Sequence, residues 1–312
     1  MKRTIKKAIS ILISIIIIFT LLFSFAGCKK IAYQLGFGEN PDEKTTVPAR
    51  ETVKVLIKPG LTALRIAETL EEKGVCSASA FLAECQKMPE DYDRLLEGVT
   101  AENKVFLLEG YLYPETYEFY KDDDPENVLK KLLNTMDKKM SEVIDKETYG
   151  YGDCSIYDRA KEMNMTMDQV IILASVIQAE ANLKSNAEGL HEMRKVSAVF
   201  HNRLNHPEKG FGYIGSDVTR QYIEVKLADY IKAKNLDRDA LFAAYNTNNS
   251  YDLKVRGLPK GPVSNPTRAA IIAALWPEET NDYYFFTDKD GKFHYYNDYK
   301  SFTRDYKYYY GK

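Results

Sequence analysis

Tryptophan occurs once, histidine four times and cysteine four times in 312 residues, and each scarcity closes off a chemistry. The histidines, His191, His201, His206 and His294, form no HExxH run and no paired Cys/His spacing, so no metal site is expected. Beyond Cys28 the remaining cysteines are Cys76, Cys85 and Cys154, an odd number that excludes a complete disulfide framework. Buried free thiols are the expected state, with a Cys76–Cys85 bridge as the alternative. No basic domain stands out: 43 Lys and Arg against 45 Asp and Glu give a net charge of -2, which argues against a nucleic-acid partner. Hydrophobic residues at 45% exclude a disordered chain, and the length suits two units better than one. What the chain has in plenty is tyrosine, 23 in all, whose ring faces suit sugar contacts as well as cores.

Charge is also missing from one long run. Lys2, Arg3, Lys6 and Lys7 precede Ala8 to Cys28, which contains no charged side chain. That run is long enough to cross a bilayer as a helix, and the preceding positive charges would keep the N-terminus inside. It ends in Phe25-Ala26-Gly27-Cys28, small residues before a cysteine that resemble a lipoprotein processing site. Residues 1–28 are therefore expected to be a signal-anchor or a lipoprotein signal, either a single-pass span or a lipid anchor at Cys28. Both put the rest of the chain on the outer face of a membrane. Residues 29–50, polar and without periodicity, read as a linker.

Strand alternation follows at Thr52 to Ile57, then a helix from Thr62 to about Lys73 and another from Ser77 or Ser79 to about Lys87. Pro114 makes Leu108 to Tyr120 extended, an edge strand at most. A packing helix runs from Asp124-Pro125 to about Ile144. Asn182 to Glu192 is a polar segment before a helix that ends at Asn205-His206-Pro207. Thr267 to Trp276 reads as a helix, and the tail as two aromatic strands around Asp288 to Gly291 before a packed or frayed Tyr-rich end.

Between these lies Thr166 to Ala181, TMDQVIILASVIQAEA. Thr166 and Gln169 have capping-box spacing, and Val170, Leu173, Val176 and Ile177 form an apolar face. Glu180 falls about 20° around the axis from Leu173, within that stripe, while Gln178 points to the far side. A carboxyl group in apolar surroundings holds its proton and becomes a candidate general acid. The alternative is a salt-bridged Glu at the rim of a core helix.

Seven separated motifs then agree: EGYLYPETYEF from Glu109, ILASVIQAEA from Ile172, VSAVFHNRL from Val196, GSDVTRQY from Gly215, YNTNNSY from Tyr245, GLPKGPVSNP from Gly257 and YYFFTDKDGKFHY from Tyr283. Their order and separations resemble the YceG-like family of endolytic murein transglycosylases, over about Val53 to Tyr306. The resemblance implies an α+β fold, with a small LysM-like module over residues 51–104 and a mixed α+β catalytic domain over 105–312, behind the membrane anchor. It implies Glu180 as the catalytic acid; where many relatives have Glu-x-Glu, this chain has Gln178-Ala179-Glu180. The implied substrate is the peptidoglycan glycan strand, cut at the β-1,4 bond from N-acetylmuramic acid to N-acetylglucosamine with no metal or organic cofactor, and the implied partners include cell-wall synthases. Asp217, Thr219, Tyr222, Tyr245, Asn246, Thr247 and Asn265 are expected to face the substrate, with Glu109 either joining them or serving as a buried structural acid. Departures from the family pattern, such as Val218, Asn248, Lys260 and Thr267, bear on substrate preference. The competing readings are a non-catalytic glycan-binding scaffold and a hydrolase, which would need a second carboxylate.

Overall fold

The structure, a computed structural model, describes residues 50–144, 153–181, 186–247 and 256–311. The expected anchor, the linker up to residue 49 and Asn248 lie outside the described residues. Among the described residues, no helix is long and apolar enough to cross a membrane.

The fold is mixed α+β. Strand β1 (Thr52–Leu56) buries Val55 and pairs antiparallel with β2 (Thr116–Tyr120), with Val53 opposite Phe119 and Val55 opposite Tyr117. The partner of β1 thus lies beyond residue 104. Between them come α1 (Ala63–Glu72), capped by Thr62, and α2 (Ala78–Glu84), capped by Ser77, as their hydroxyl residues foretell. Residues 85–115 then carry Leu95, Phe106, Leu108, Tyr111 and Leu112 into the core without regular structure. Gly110 shows why the chain can pass there: at φ +91° its missing Cβ would sit 2.6 Å from Pro262 Cγ and 2.7 Å from Ile171 Cγ2. The same stretch supplies Lys104, whose buried Nζ lies 3.0 and 2.9 Å from the two carboxylate oxygens of Asp168.

Helices α3 (Pro125–Ser141) and α4 (Ile156–Glu162) lead to α5 (Met167–Ala181), the helix that carries Glu180. Thr166 and Gln169 close the capping box in both directions, at 2.9 and 3.3 Å. One expectation is corrected here: α5 is not one-sided. Its far side is covered as well, so Ser175 and Gln178 are buried. Their oxygens are met by the chain around residue 265 instead of water: Val263 N donates to Ser175 Oγ, Ser264 Oγ to Ser175 O, and Thr267 N to Gln178 Oε1.

Helix α6 (Ala187–Asn205) starts earlier than the polar composition of 182–192 predicts. Asn186 accepts from Gly189 N at 2.8 Å and nucleates it, and Met193, Val196 and Phe200 supply its buried face. A short α7 (Asp217–Gln221) runs into one π-helical turn (Tyr222–Lys226), followed by α8 (Ala228–Ala233) and α9 (Arg238–Tyr245). Helix α10 (Arg268–Leu275), capped by Thr267, packs with α6 against α5. The hairpin of β3 (Tyr284–Thr287) and β4 (Phe293–Tyr296) forms where expected. The Tyr-rich end is a helix, α11 (Tyr299–Tyr310), with Phe302, Tyr306 and Tyr310 against Phe286. Residues 51–312 make one compact unit around a shared hydrophobic cluster that runs from Val55 to Leu275. The three described cysteines are free thiols, but only Cys85 is buried; Cys76 and Cys154 are partly exposed.

Candidate active site

Glu180 occupies the last turn of α5 and is half-buried instead of sealed in the core. Partial exposure is what an acid must have to reach a substrate arriving from solvent. Its Oε1 accepts a 2.5 Å hydrogen bond from Ser216 Oγ. Ser216 stands at the N-cap position of α7 yet makes no cap bond with its side chain, because that hydroxyl is committed to Glu180. Burial raises the Glu180 carboxyl above the usual glutamate range; the Ser216 bond and the Arg203 charge oppose this, and the Asp217 charge adds to it.

The surrounding residues fix Ser216. Arg203 donates through Nε to Tyr283 O at 2.6 Å and through Nη1 to Ile214 O and Gly215 O at 2.6 and 3.1 Å, pinning the chain just before Ser216. Burial lowers Arg203 to about 10, which leaves it cationic at neutral pH beside the acid. Thr219 Oγ1 donates to Ser216 O at 2.8 Å and pairs with Thr247 Oγ1 at 2.9 Å, while Gly215 N donates to Thr247 O. Ser216 and Arg203 are functional neighbours that sequence reasoning did not single out; both lie within quoted motifs, but nothing in their local pattern marks them.

The residues expected to face a substrate divide. Asp217 is exposed beside Glu180, with Arg220 Nε 3.9 Å from Oδ1. Thr219, Asn246 and Thr247 are buried, and the two threonines serve the loop that carries Ser216. Tyr222, Tyr245, Asn265 and Glu109 are fully buried and have no surface to offer a sugar; of the two expectations for Glu109, the buried acid is the one observed. Tyr222 OH and Asn265 Nδ2 donate to Glu109 at 3.0 and 2.7 Å, and the Tyr222 and Tyr245 rings lie 5.1 Å apart. Gln178, on the opposite side of α5 from Glu180, accepts from Thr267 N and Oγ1 at 3.0 and 2.8 Å. Thr267 also lines a cleft of about 680 Å³ with Pro59, Tyr113, Arg194 and Arg268, and Glu180 is not among its lining residues. Among the described residues, no group of three or more His, Cys, Asp or Glu could hold a metal ion.

Two substitutions at this site are expected to move Glu180 in opposite directions. Ser216→Ala removes a bond to the charged form, so the carboxyl holds its proton to higher pH; Asp217→Asn removes a like charge, so it loses its proton at lower pH. For a reaction that needs the acid form, the alkaline limb of kcat/KM shifts up in the first variant and down in the second. Limbs that coincide with wild type in both would contradict the electrostatics described here.

The mixed α+β fold is shared with a solved protein. A YceG-like protein from Listeria monocytogenes has the same fold, with a TM-score of 0.56 over 84% of this chain and 77% of that one, at 24% identity. The chain belongs to the YceG-like family, whose model matches residues 21–308. It is 26% identical over 277 residues to the endolytic murein transglycosylase of Streptococcus pneumoniae, covering 84% of this chain and 45% of that protein. It is 28% identical over 200 residues to the endolytic murein transglycosylase of Bacillus subtilis, covering 64% of this chain and 47% of that protein. The chain thus spans less than half the length of these relatives.

Proposed function

We propose that the chain is an endolytic murein transglycosylase and that Glu180 is its acid and base. The observation that carries this is the half-buried Glu180 carboxyl, raised by burial and by Asp217 and held in place by Ser216. In the first step Glu180 gives its proton to the glycosidic oxygen of the MurNAc-β-1,4-GlcNAc bond, and the bond breaks with its electron pair going to that oxygen. The acetamido group of the sugar stabilises the cationic carbon. In the second step the Glu180 carboxylate takes the proton of the muramyl 6-hydroxyl, whose oxygen closes a 1,6-anhydro ring. The acid is restored, and no water is consumed. Cutting inside nascent strands would limit their elongation. Arg203, fixed by three carbonyl oxygens, keeps Glu180 ionisable between the steps.

The order β1, α1, α2, β2, with antiparallel outer strands, supports a LysM-like element that grips the glycan. The charge-free run at Ala8 to Cys28 supports a single-pass or Cys28-lipidated anchor that keeps the site at the outer membrane face, within reach of cell-wall synthases. The test is digestion of purified glycan strands by the full chain, read as strand length. The reading expects internal cuts that shorten long strands early; strands bound but left intact would make the chain a scaffold.

A further inference from the structure

Glu109, the most deeply buried carboxyl group among the described residues, has no part in the mechanism. Glu109 has no exposed surface, and donors from three distant segments end on it. Its Oε1 accepts from Ala63 N at 2.9 Å and Asn265 Nδ2 at 2.7 Å; its Oε2 accepts from Tyr222 OH at 3.0 Å and Ala63 N at 3.1 Å. Asn265 is itself fixed, accepting from Leu112 N at 2.8 Å and donating through its backbone N–H to Leu61 O. Tyr222 opens the π-helical turn, whose wide bond runs from Leu227 N to Tyr222 O at 3.0 Å. Such a turn is rarer than an α-helical one and persists where a contact requires it. The same Tyr222 closes α7, and at the other end of that five-residue helix stands Ser216, the donor to Glu180.

We propose that Glu109 is a positioning residue for Glu180: by holding the Tyr222 hydroxyl it fixes the short helix from which Ser216 grips the acid. The inference rests on the reading of Glu180 as acid and base. It also has a pH dependence. The titratable groups facing Glu109 are Tyr222, Tyr245, Cys85 and Lys226, with Lys226 supplying positive charge. Burial pushes the Glu109 carboxyl up to about 7, against the Ala63 amide, the Tyr222 hydroxyl and Lys226. The folded value lies above that of free glutamate, so this group's contribution to stability is fully present below the free value and is lost as pH rises through about 7. Positioning runs the other way, because only the ionised group accepts from every donor around it. The fold is steadier with Glu109 protonated, and the acid is better held with it ionised.

The test compares the full-length wild type with Tyr222→Phe and Glu109→Gln, using strand cleavage and the ¹³C carboxyl signal of labelled glutamate. The Glu180 signal is identified by its loss in Glu180→Gln. Tyr222→Phe is expected to lower kcat about tenfold with KM within about twofold, the pattern of a misplaced group. Wild-type kcat is expected to fall as pH drops through about 7, and Glu109→Gln to run at that reduced rate across the range. In both variants the Glu180 signal titrates at higher pH, because the bond from Ser216 to its charged form is weakened. A Glu180 signal that titrates as in wild type in both variants overturns the proposal, whatever the cleavage rates. Tyr222→Phe decides it alone if Glu109→Gln does not fold. A wild type that leaves strands uncut refutes the transglycosylase reading instead, and the carboxyl signal still decides the role of Glu109.

Discussion

Glu180→Gln is expected to lower strand cleavage by about 10³-fold or more while leaving the fold intact. General acid–base catalysis by one group contributes roughly 10² to 10⁴ in rate, and in the proposed mechanism the same carboxyl serves both steps. The amide keeps an oxygen for Ser216 Oγ to donate to, so the 2.5 Å contact has a replacement and the loop at 214–219 has no cause to move. It also removes an ionisable group that burial disfavours in its charged form. Stability in urea should therefore equal or slightly exceed wild type at pH 8, which separates loss of chemistry from loss of structure. A variant that keeps a tenth of the wild-type rate would mean that another group supplies the proton.

Lys104→Met is expected to cost about 3–5 kcal/mol in urea unfolding at pH 8, the largest stability loss we anticipate for a single change. Lys104 is 1% and Asp168 8% exposed at the side chain, and the ammonium lies within 3.0 Å of both carboxylate oxygens. Methionine fills the stem's volume but leaves the carboxylate buried with the Tyr111 hydroxyl, at 3.0 Å, in place of a counter-ion. Burial already raises Asp168 against the opposing pull of Lys104, and removing that pull raises it further. With the folded value above that of free aspartate, the penalty is absent below the free value and grows as pH rises through the folded one. The loss should thus shrink towards pH 5, and adding Asp168→Asn should recover most of it at pH 8. An equal loss at both pH values would point to packing alone.

Where the sequence carries a local cause, it was readable. Thr166 and Gln169 stand at the spacing of a reciprocal cap, and both bonds form. Thr62, Ser77 and Asp124 mark helix starts because a short polar side chain there meets an unpaired amide. The phase of Glu180 relative to Leu173 singles out a carboxyl that the structure shows half-buried and bonded to Ser216. What could not be read depends on pairings across long stretches of chain. Tyr222 and Asn265 lie 113 and 156 residues from Glu109, so nothing local says that they meet inside the protein instead of on a cleft wall. Gln178 looks like a surface residue by helical phase and is buried because α10 and its Thr267 cap cover that side. The early start of α6 was hidden for a similar reason: the polar residues up to Glu192 lie on the outer side of a helix whose inner side is set by Met193 and Val196.

The central claim is that one carboxyl, Glu180, breaks the glycosidic bond and closes the sugar on itself. The most direct measurement is mass spectrometry of strands digested by the full chain in water enriched in oxygen-18, run beside Glu180→Gln. The account predicts 1,6-anhydro muramic ends, lighter by one water than reducing ends and free of the heavy isotope, from the wild type and none from the variant. Reducing ends carrying oxygen-18 would contradict it and make the chain a hydrolase, with Asp217, whose charge acts on Glu180, the carboxylate to examine as its base.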